Sequence, residues 1–167
     1  MAASLPFRIG HGYDLHALQP GGQLVLAGII VSERMSPVAH SDGDVALHAL
    51  TDALLGAMAW GDIGEHFPND DPKIKGAASS LFVSKIYQKV RDAGWHVGNV
   101  DITVLAERPR LSSFKPAMTD SVAKLLGLTP DCISIKAGSN EGCDAIGAGQ
   151  AIAAHAVILL LNDSAKN

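Results

Sequence analysis

The stretch that most constrains this fold is Phe7–His16, where residue character alternates at every step. Ile9, His11, Tyr13 and Leu15 fall on one side, and Gly10, Gly12, Asp14 and His16 on the other. Alternation with period two defines a β-strand, because successive Cβ atoms leave opposite faces of the pleat. One face is therefore aliphatic and aromatic, and the other is glycine followed by a carboxylate and an imidazole. Aromatics make up 5% of the 167 residues while hydrophobic residues make up 47%, so the core must come from Ala, Val, Ile and Leu. Such small side chains suit close packing of helices on a sheet. The length fits one domain.

Leu24–Val31 is β-rich and follows the turn signal Pro20-Gly21-Gly22; Gly28 predicts a bend within it, hence two short strands. Ser41-Asp42-Gly43-Asp44 reads as a helix start, since oxygen side chains there cap free N–H groups. Leu47, Leu50, Leu54 and Met58 follow at spacings of three and four, predicting an amphipathic helix that ends near Gly61. Gly61–Gly76 reads as loop. Ser79–Ala93 is a second predicted helix, stopped at Gly94, and Phe114–Leu126 a third, closed by Gly127. Val97–Leu105, Cys132–Ala137 and Ala151–Leu161 read as strands, with Gly138–Gly149 a glycine-punctuated loop. The order β, β, α, α, β, α, β, β predicts an α+β single domain, a mixed β-sheet with helices packed on one face.

Lys and Arg number 13 against 17 Asp and Glu, a formal charge of −4 with no basic run. That argues against a nucleic-acid surface. The most apolar run, Ala151–Leu161, falls short of the ~20 residues of a spanning helix, so no membrane partner is expected. Cys132 and Cys143 are too few for a disulfide framework and read as reduced thiols. Met1–Arg8 carries no secretory signal, and the expected location is cytoplasmic.

Asp14-Leu15-His16 puts a carboxylate and an imidazole on one side of a strand, as a hydrogen-bonded pair or as part of a metal site. His48, one turn into the predicted helix, supplies a second imidazole. Two imidazoles and a carboxylate leave a coordination position open, which is what catalytic zinc uses. Asp44 and Asp52 flank His48 at four-residue spacing, either fixing its tautomer or forming a solvated face. His40-Ser41 precedes a helix N-terminus, which attracts anions; an N-cap beside a surface histidine is the plain alternative. The acidic stretch from Asp62 to Asp71 suits polyol hydroxyls, a hard cation, or simply water. Gly138-Ser139-Asn140-Glu141-Gly142 suits a phosphate with its bridging cation, or a tight turn.

Taken together, three motifs carry a family resemblance: Arg8-Ile-Gly-His-Gly-Tyr-Asp-Leu-His16, Ala39-His-Ser-Asp-Gly-Asp-Val-Ala-Leu-His48 and Gly61-Asp-Ile-Gly-Glu-His-Phe-Pro68. With Val100-Asp101 and Lys136-Ala137 in the same order, the chain resembles the 2-C-methyl-D-erythritol 2,4-cyclodiphosphate synthases from about Arg8 to Leu161. The resemblance implies residues 1–7 as an N-terminal extension, 8–162 as the catalytic domain and 163–167 as a tail. It implies a homotrimer with active sites between subunits and a central cavity. The implied enzyme is a metal-dependent phosphorus–oxygen lyase of the non-mevalonate isoprenoid pathway, acting on a cytidine diphosphate-type substrate.

The resemblance also assigns roles. Asp14, His16 and His48 look like zinc ligands, and Glu141 like the ligand of a second cation, Mg2+ or Mn2+. His40 and Ser41 look like phosphate donors, His40 and Ser139 being the catalytic pair. Asp62, Ile63, Gly64, Phe67, Pro68, Asn69, Asp70 and Asp71, with Leu15, would meet the methylerythritol portion. Ala106, Arg110, Leu111, Ala137 and Gly138 would line the cytidine pocket of the adjoining subunit. Ser139 stands where the family usually has Thr, and Arg110 where it often has Lys. Ala148 departs further: an Arg is usual there, near the trimer axis and associated with isoprenoid phosphates, so weak binding of such ligands is expected. Ala145 replaces a frequent aromatic. Two other readings compete: a different metal-dependent phosphohydrolase on the same site, and a trimeric module binding isoprenoid phosphates without turnover.

Overall fold

The structure, a computed structural model, describes residues 5–68, 74 and 76–163. The chain opens with a long strand, β1 (Phe7–Pro20), then three short ones, β2 (Leu24–Leu26), β3 (Ile29–Ser32) and β4 (Met35–Pro37). Two helices follow, α1 (Val45–Met58) and the single turn α2 (Ile63–His66), then α3 (Ser80–Asp92). Strand β5 (Trp95–Leu105), helix α4 (Lys115–Leu126), a 3-10 turn at Pro130–Cys132 and β6 (Ile133–Gly138) come next. A last turn of helix, α5 (Asp144–Gly147), leads into β7 (Ala151–Asn162).

Five strands form one sheet in the order β4-β1-β7-β5-β6. Only the β5–β6 pairing is parallel, so the sheet is mixed, as expected. Its inner face packs against the helices: Val100, Ile102 and Val104 from β5 and Ile152, Ala154, Ala156, Ile158 and Leu160 from β7 are buried there with Leu47, Leu50, Leu54 and Val83.

The alternation in β1 explains how closely α1 sits on the sheet. A Cβ built on Gly10 would lie 1.8 Å from the Ala53 carbonyl oxygen, and one on Gly12 would lie 2.0 Å from that of Ala49. Any larger residue would push the helix off the strand. Successive inward positions of β1 meet earlier residues of α1, so strand and helix run in opposite directions. The next inward pair, Asp14 and His16, is thereby brought level with His48. The other face of β1 is left open, with Ile9 66% and Tyr13 47% exposed.

Several expectations are corrected. The β-rich stretch after Gly22 does break into two strands, but β2 and β3 make a separate hairpin rather than joining the main sheet. Ala27 and Gly28 turn it with positive φ angles of 50° and 77°. Strand β4, paired with the end of β1, was not expected at all. The stretch read as loop after Gly61 contains α2, too short to show a helical period. The helices do not all share one face: Ile146 of α5 packs with Leu105, Ala151 and Ala153 on the opposite side from α1.

Candidate metal centre

Residues far apart in sequence build the centre. Asp14 and His16 come from the inward side of β1, and His48 from the first turns of α1. Asp14 Oδ2 lies 2.9 Å from His48 Nδ1 and 3.2 Å from His16 Nε2, and the two ring nitrogens are 3.2 Å apart. Among the described residues this is the one group of three metal-competent side chains. Tetrahedral ligation at ~2.1 Å spaces ligand atoms roughly 3.4 Å apart, so this triangle needs only a slight opening to admit an ion. The donor set fits a borderline divalent metal: two imidazoles and one carboxylate, each offering a donor atom within 3.2 Å of the others.

Burial prepares the ligands. It holds the His16 imidazole below its ordinary pKa, against the raising effect of Asp14 and with a further lowering from His48. A neutral imidazole is the form that binds metal. Phe82 stacks on the His48 ring at 6.0 Å and Phe67 packs on Phe82 at 4.5 Å, which fixes the ring plane.

The carboxylates expected to hold the His48 tautomer do something else. Asp44 is fully buried and caps α1, accepting from Ala46 and Leu47 N–H, and also from Ala27 and Gly28 N–H of the hairpin turn. Burial pushes its carboxyl up to about 6, against these backbone donors. Asp52 accepts from Ile63 N–H at the start of α2, and burial raises its pKa too. The groups at His48 Nε2 are instead Ser79 Oγ at 2.8 Å and Ser41 Oγ at 3.1 Å. Ser79 in turn donates to Asp42 Oδ1. No sequence signal tied Ser79, 31 residues away and at the start of α3, to this ring.

A cavity of about 360 Å³ opens onto the triad, lined also by His40, Ser41, Ile63, Gly64 and Phe67. Val38, Ala39, Ile74 and Phe82 line it as well and were not expected. The helix N-terminus is not the anion site anticipated, because Asp44 already occupies its free N–H groups. His40 and Ser41 face the cavity from the segment ahead of it. Leu15 is not brought in: its side chain lies on the outer face, 44% exposed. Asp62 caps α2, accepting from Glu65 N–H, and Pro68 is exposed outside the cavity lining. Asn69, Asp70 and Asp71 lie outside the described residues.

A second cavity, about 370 Å³, gathers Ala106, Arg110, Leu111, Ala137 and Gly138, the residues expected around the cytidine, together with Ser139, expected to be catalytic. Glu107, Pro109, Ser112 and Lys115 complete it. It shares no lining residue with the first. Beside it, Ser139 Oγ donates to Glu141 Oε1 at 2.9 Å, and Glu141 adopts a positive φ of 51°.

A mixed-sheet domain that brings two imidazoles and one carboxylate together in a pocket beside a hydroxyl and a histidine has the outline of an enzyme with a candidate metal site. The chain belongs to the YgbB family, whose model matches residues 7–161. It is 47% identical to the chloroplastic 2-C-methyl-D-erythritol 2,4-cyclodiphosphate synthase of Arabidopsis thaliana, over 95% of this chain and 68% of that one. It is 49% identical to the synthase of Methylococcus capsulatus, over 92% of this chain and 98% of that one. Among solved structures it is similar to the bifunctional IspDF of Campylobacter jejuni (TM-score 0.91, 40% identity), covering 95% of this chain and 43% of that longer one. It is also similar to a CDP complex of IspF from Plasmodium falciparum (TM-score 0.83, 31% identity), covering 95% and 99%.

Proposed function

We propose that this chain converts 4-diphosphocytidyl-2-C-methyl-D-erythritol 2-phosphate to 2-C-methyl-D-erythritol 2,4-cyclodiphosphate with release of CMP, within the non-mevalonate route to isoprenoid precursors. The observation that carries this reading is the convergence of Asp14, His16 and His48 with His40 and Ser41 on one cavity. The names of its relatives supply the product, the CDP complexes of similar structures support a cytidine nucleotide, and the substrate is the one the family resemblance implies. In the reaction an oxygen of the 2-phosphate forms a bond to the β-phosphorus. The bond from that phosphorus to the bridging oxygen breaks, and CMP carries the oxygen away.

Such chemistry needs anions held in line and their charge neutralised more than it needs an acid or base. Asp14, His16 and His48 would hold zinc, which when bound polarises a phosphate oxygen. His40 and Ser41 donate to phosphate oxygens at the cavity, and the walls of Phe67 and Phe82 exclude water. Ile63, Gly64 and Phe67 line the side proposed to meet the methylerythritol portion, and Asp62, Pro68, Asn69, Asp70 and Asp71 are proposed to contact it as well. On the second cavity, Ala106, Arg110, Leu111, Ala137 and Gly138 receive the cytidine. Ser139 meets the phosphates, and Glu141 would hold Mg2+ or Mn2+, which when bound would supply charge neutralisation to the diphosphate.

Separate half-sites support an active site completed by a second copy, and the open sheet face supports a homotrimer built around a central cavity. Phe7, Ile9, Tyr13, Leu15 and Val157 are all exposed on that face. Residues 8–162 make up the catalytic domain. No described helix is long and apolar enough to cross a membrane, and free Cys132 and Cys143 suit the cytoplasm. Phosphorus NMR of a reaction with the diphosphocytidyl substrate should show CMP and a cyclic diphosphate in equal amounts. An open-chain diphosphate would instead make the chain a phosphohydrolase.

A further inference from the structure

Behind the metal pocket, hydrogen bonds form a chain with a fixed direction. A carboxylate only accepts. Asp42 accepts from Asp44 N–H and from the Ser79 hydroxyl at Oδ1, and from Ser79 N–H at Oδ2, 3.0 Å away. The Ser79 proton is thus committed to Asp42. What Ser79, fully buried, turns toward His48 Nε2 at 2.8 Å is a lone pair. That contact is favourable only when Nε2 carries the ring proton.

We infer that Asp42 and Ser79 set the tautomer of His48, holding its proton on Nε2 and leaving Nδ1, the atom that faces Asp14 and His16, free for a metal ion. They are positioning residues, acting on the metal through the ring. Without an ion, Asp14 Oδ2 competes for the proton from 2.9 Å on the Nδ1 side. The Ser79–Asp42 chain opposes that competition, and so removes part of the cost of clearing Nδ1 before metal binds. Outer partners of a ligating histidine raise metal affinity by roughly 10–100-fold in this way.

A second consequence concerns Ser41. Its Oγ accepts from Gly43 N–H at 3.1 Å and lies 3.1 Å from His48 Nε2. With Nε2 protonated, the Ser41 hydroxyl proton has no acceptor on the ring and is left for the cavity. One chain of bonds therefore prepares both a metal ligand and an anion donor.

The inference rests on the metal reading of this pocket, and two measurements separate the two. Zinc affinity is measured by competition with a chelator for the wild type, Ser79→Ala and Asp42→Asn. The ring nitrogens of His48 are assigned by NMR in the metal-free wild type. We expect about a 10-fold weaker zinc affinity in both variants, and a slowly exchanging proton on His48 Nε2 that exchanges fast in Ser79→Ala. Unchanged affinity in both variants, or a proton found on Nδ1, overturns the inference while leaving the metal site standing. A wild type that binds no zinc overturns both. Should Ser79→Ala fail to fold, Asp42→Asn and the wild-type spectrum still decide.

Discussion

The Asp14–His16–His48 pocket and the Gly138–Cys143 loop each carry a carboxylate proposed to hold a cation, yet they are built in opposite ways. In the pocket, Asp14 meets His48 across 34 residues and His48 meets Ser79 across 31, so folding itself assembles the ligands. In the loop, Ser139 meets Glu141 at two residues and Asn140 meets Asp144 at four, and both Ser139 and Glu141 are exposed. Global packing enforces the first arrangement, whereas the second has only local bonds and a positive-φ residue to hold it. The difference teaches that the ligands of the pocket are placed by the folded chain alone. The proposed cation at Glu141 would depend on substrate phosphates as well.

The largest effect should come from His48→Ala, which removes the ligand donated by α1. Zinc binding should be lost and turnover fall by ~10³-fold, since a metal at developing phosphate charge contributes several kcal/mol. The assembly should survive, as size-exclusion chromatography would show. A variant that keeps zinc would mean that the pocket is not the site.

Asp44 tests whether the pocket depends on global packing. Asp44→Ala removes a helix cap and leaves the buried Ala27 N–H and the part-buried Gly28 N–H without their acceptor. A cap is worth ~1 kcal/mol and one orphaned buried donor ~1–3 kcal/mol, so the loss should be about 2–4 kcal/mol in urea unfolding. The pH dependence carries its own sign. A carboxyl raised to about 6 in the folded chain binds its proton more tightly there than when unfolded. Its contribution is therefore present in acid and is lost as pH rises through about 6. Relative to Asp44→Asn, the wild type should lose stability between pH ~4 and ~6, the span between the unfolded and folded values; parallel curves would contradict this.

Glu141→Gln addresses the loop. Zinc should remain bound while Mg2+ or Mn2+ binding weakens and turnover slows by ~10-fold, because the α- and β-phosphate charge is less well neutralised. Wild-type magnesium dependence in that variant would remove Glu141 from its role. The smallest effect is expected on the open face. Ala148 is exposed at the end of α5 and offers no cation to a diphosphate. On the open sheet face His155 and His11 lie 3.2 Å from each other. Calorimetry with a prenyl diphosphate at neutral pH should therefore detect weak binding or none; tight binding abolished by Ala148→Glu would reverse that expectation.

Much of this was legible in the sequence because it is periodic or local. The alternation of β1 fixed which side carries Asp14 and His16, and the spacing in α1 placed His48 on a helix. Gly127 closes α4 at a positive φ of 64°, as its position after the helix suggested. What stayed hidden depends on contacts between distant segments. Asp44 and Asp52 have the right spacing to serve His48, but tertiary packing sends one to the β2–β3 turn and the other to α2. Ser79 reads as an ordinary residue at a helix start, and only the approach of α3 to α1 makes it a partner of the ring. Helices α2 and α5, four residues each, are too short to carry a period.

The most direct test of the account is anomalous diffraction at the zinc edge from crystals of the zinc-loaded protein. A single strong peak per chain should lie between Asp14, His16 and His48, with ligand distances of ~2.0–2.2 Å and its remaining position open to the cavity that holds His40 and Ser41. A peak elsewhere, or an ion closed off by a fourth protein side chain, would contradict the catalytic role assigned to this pocket.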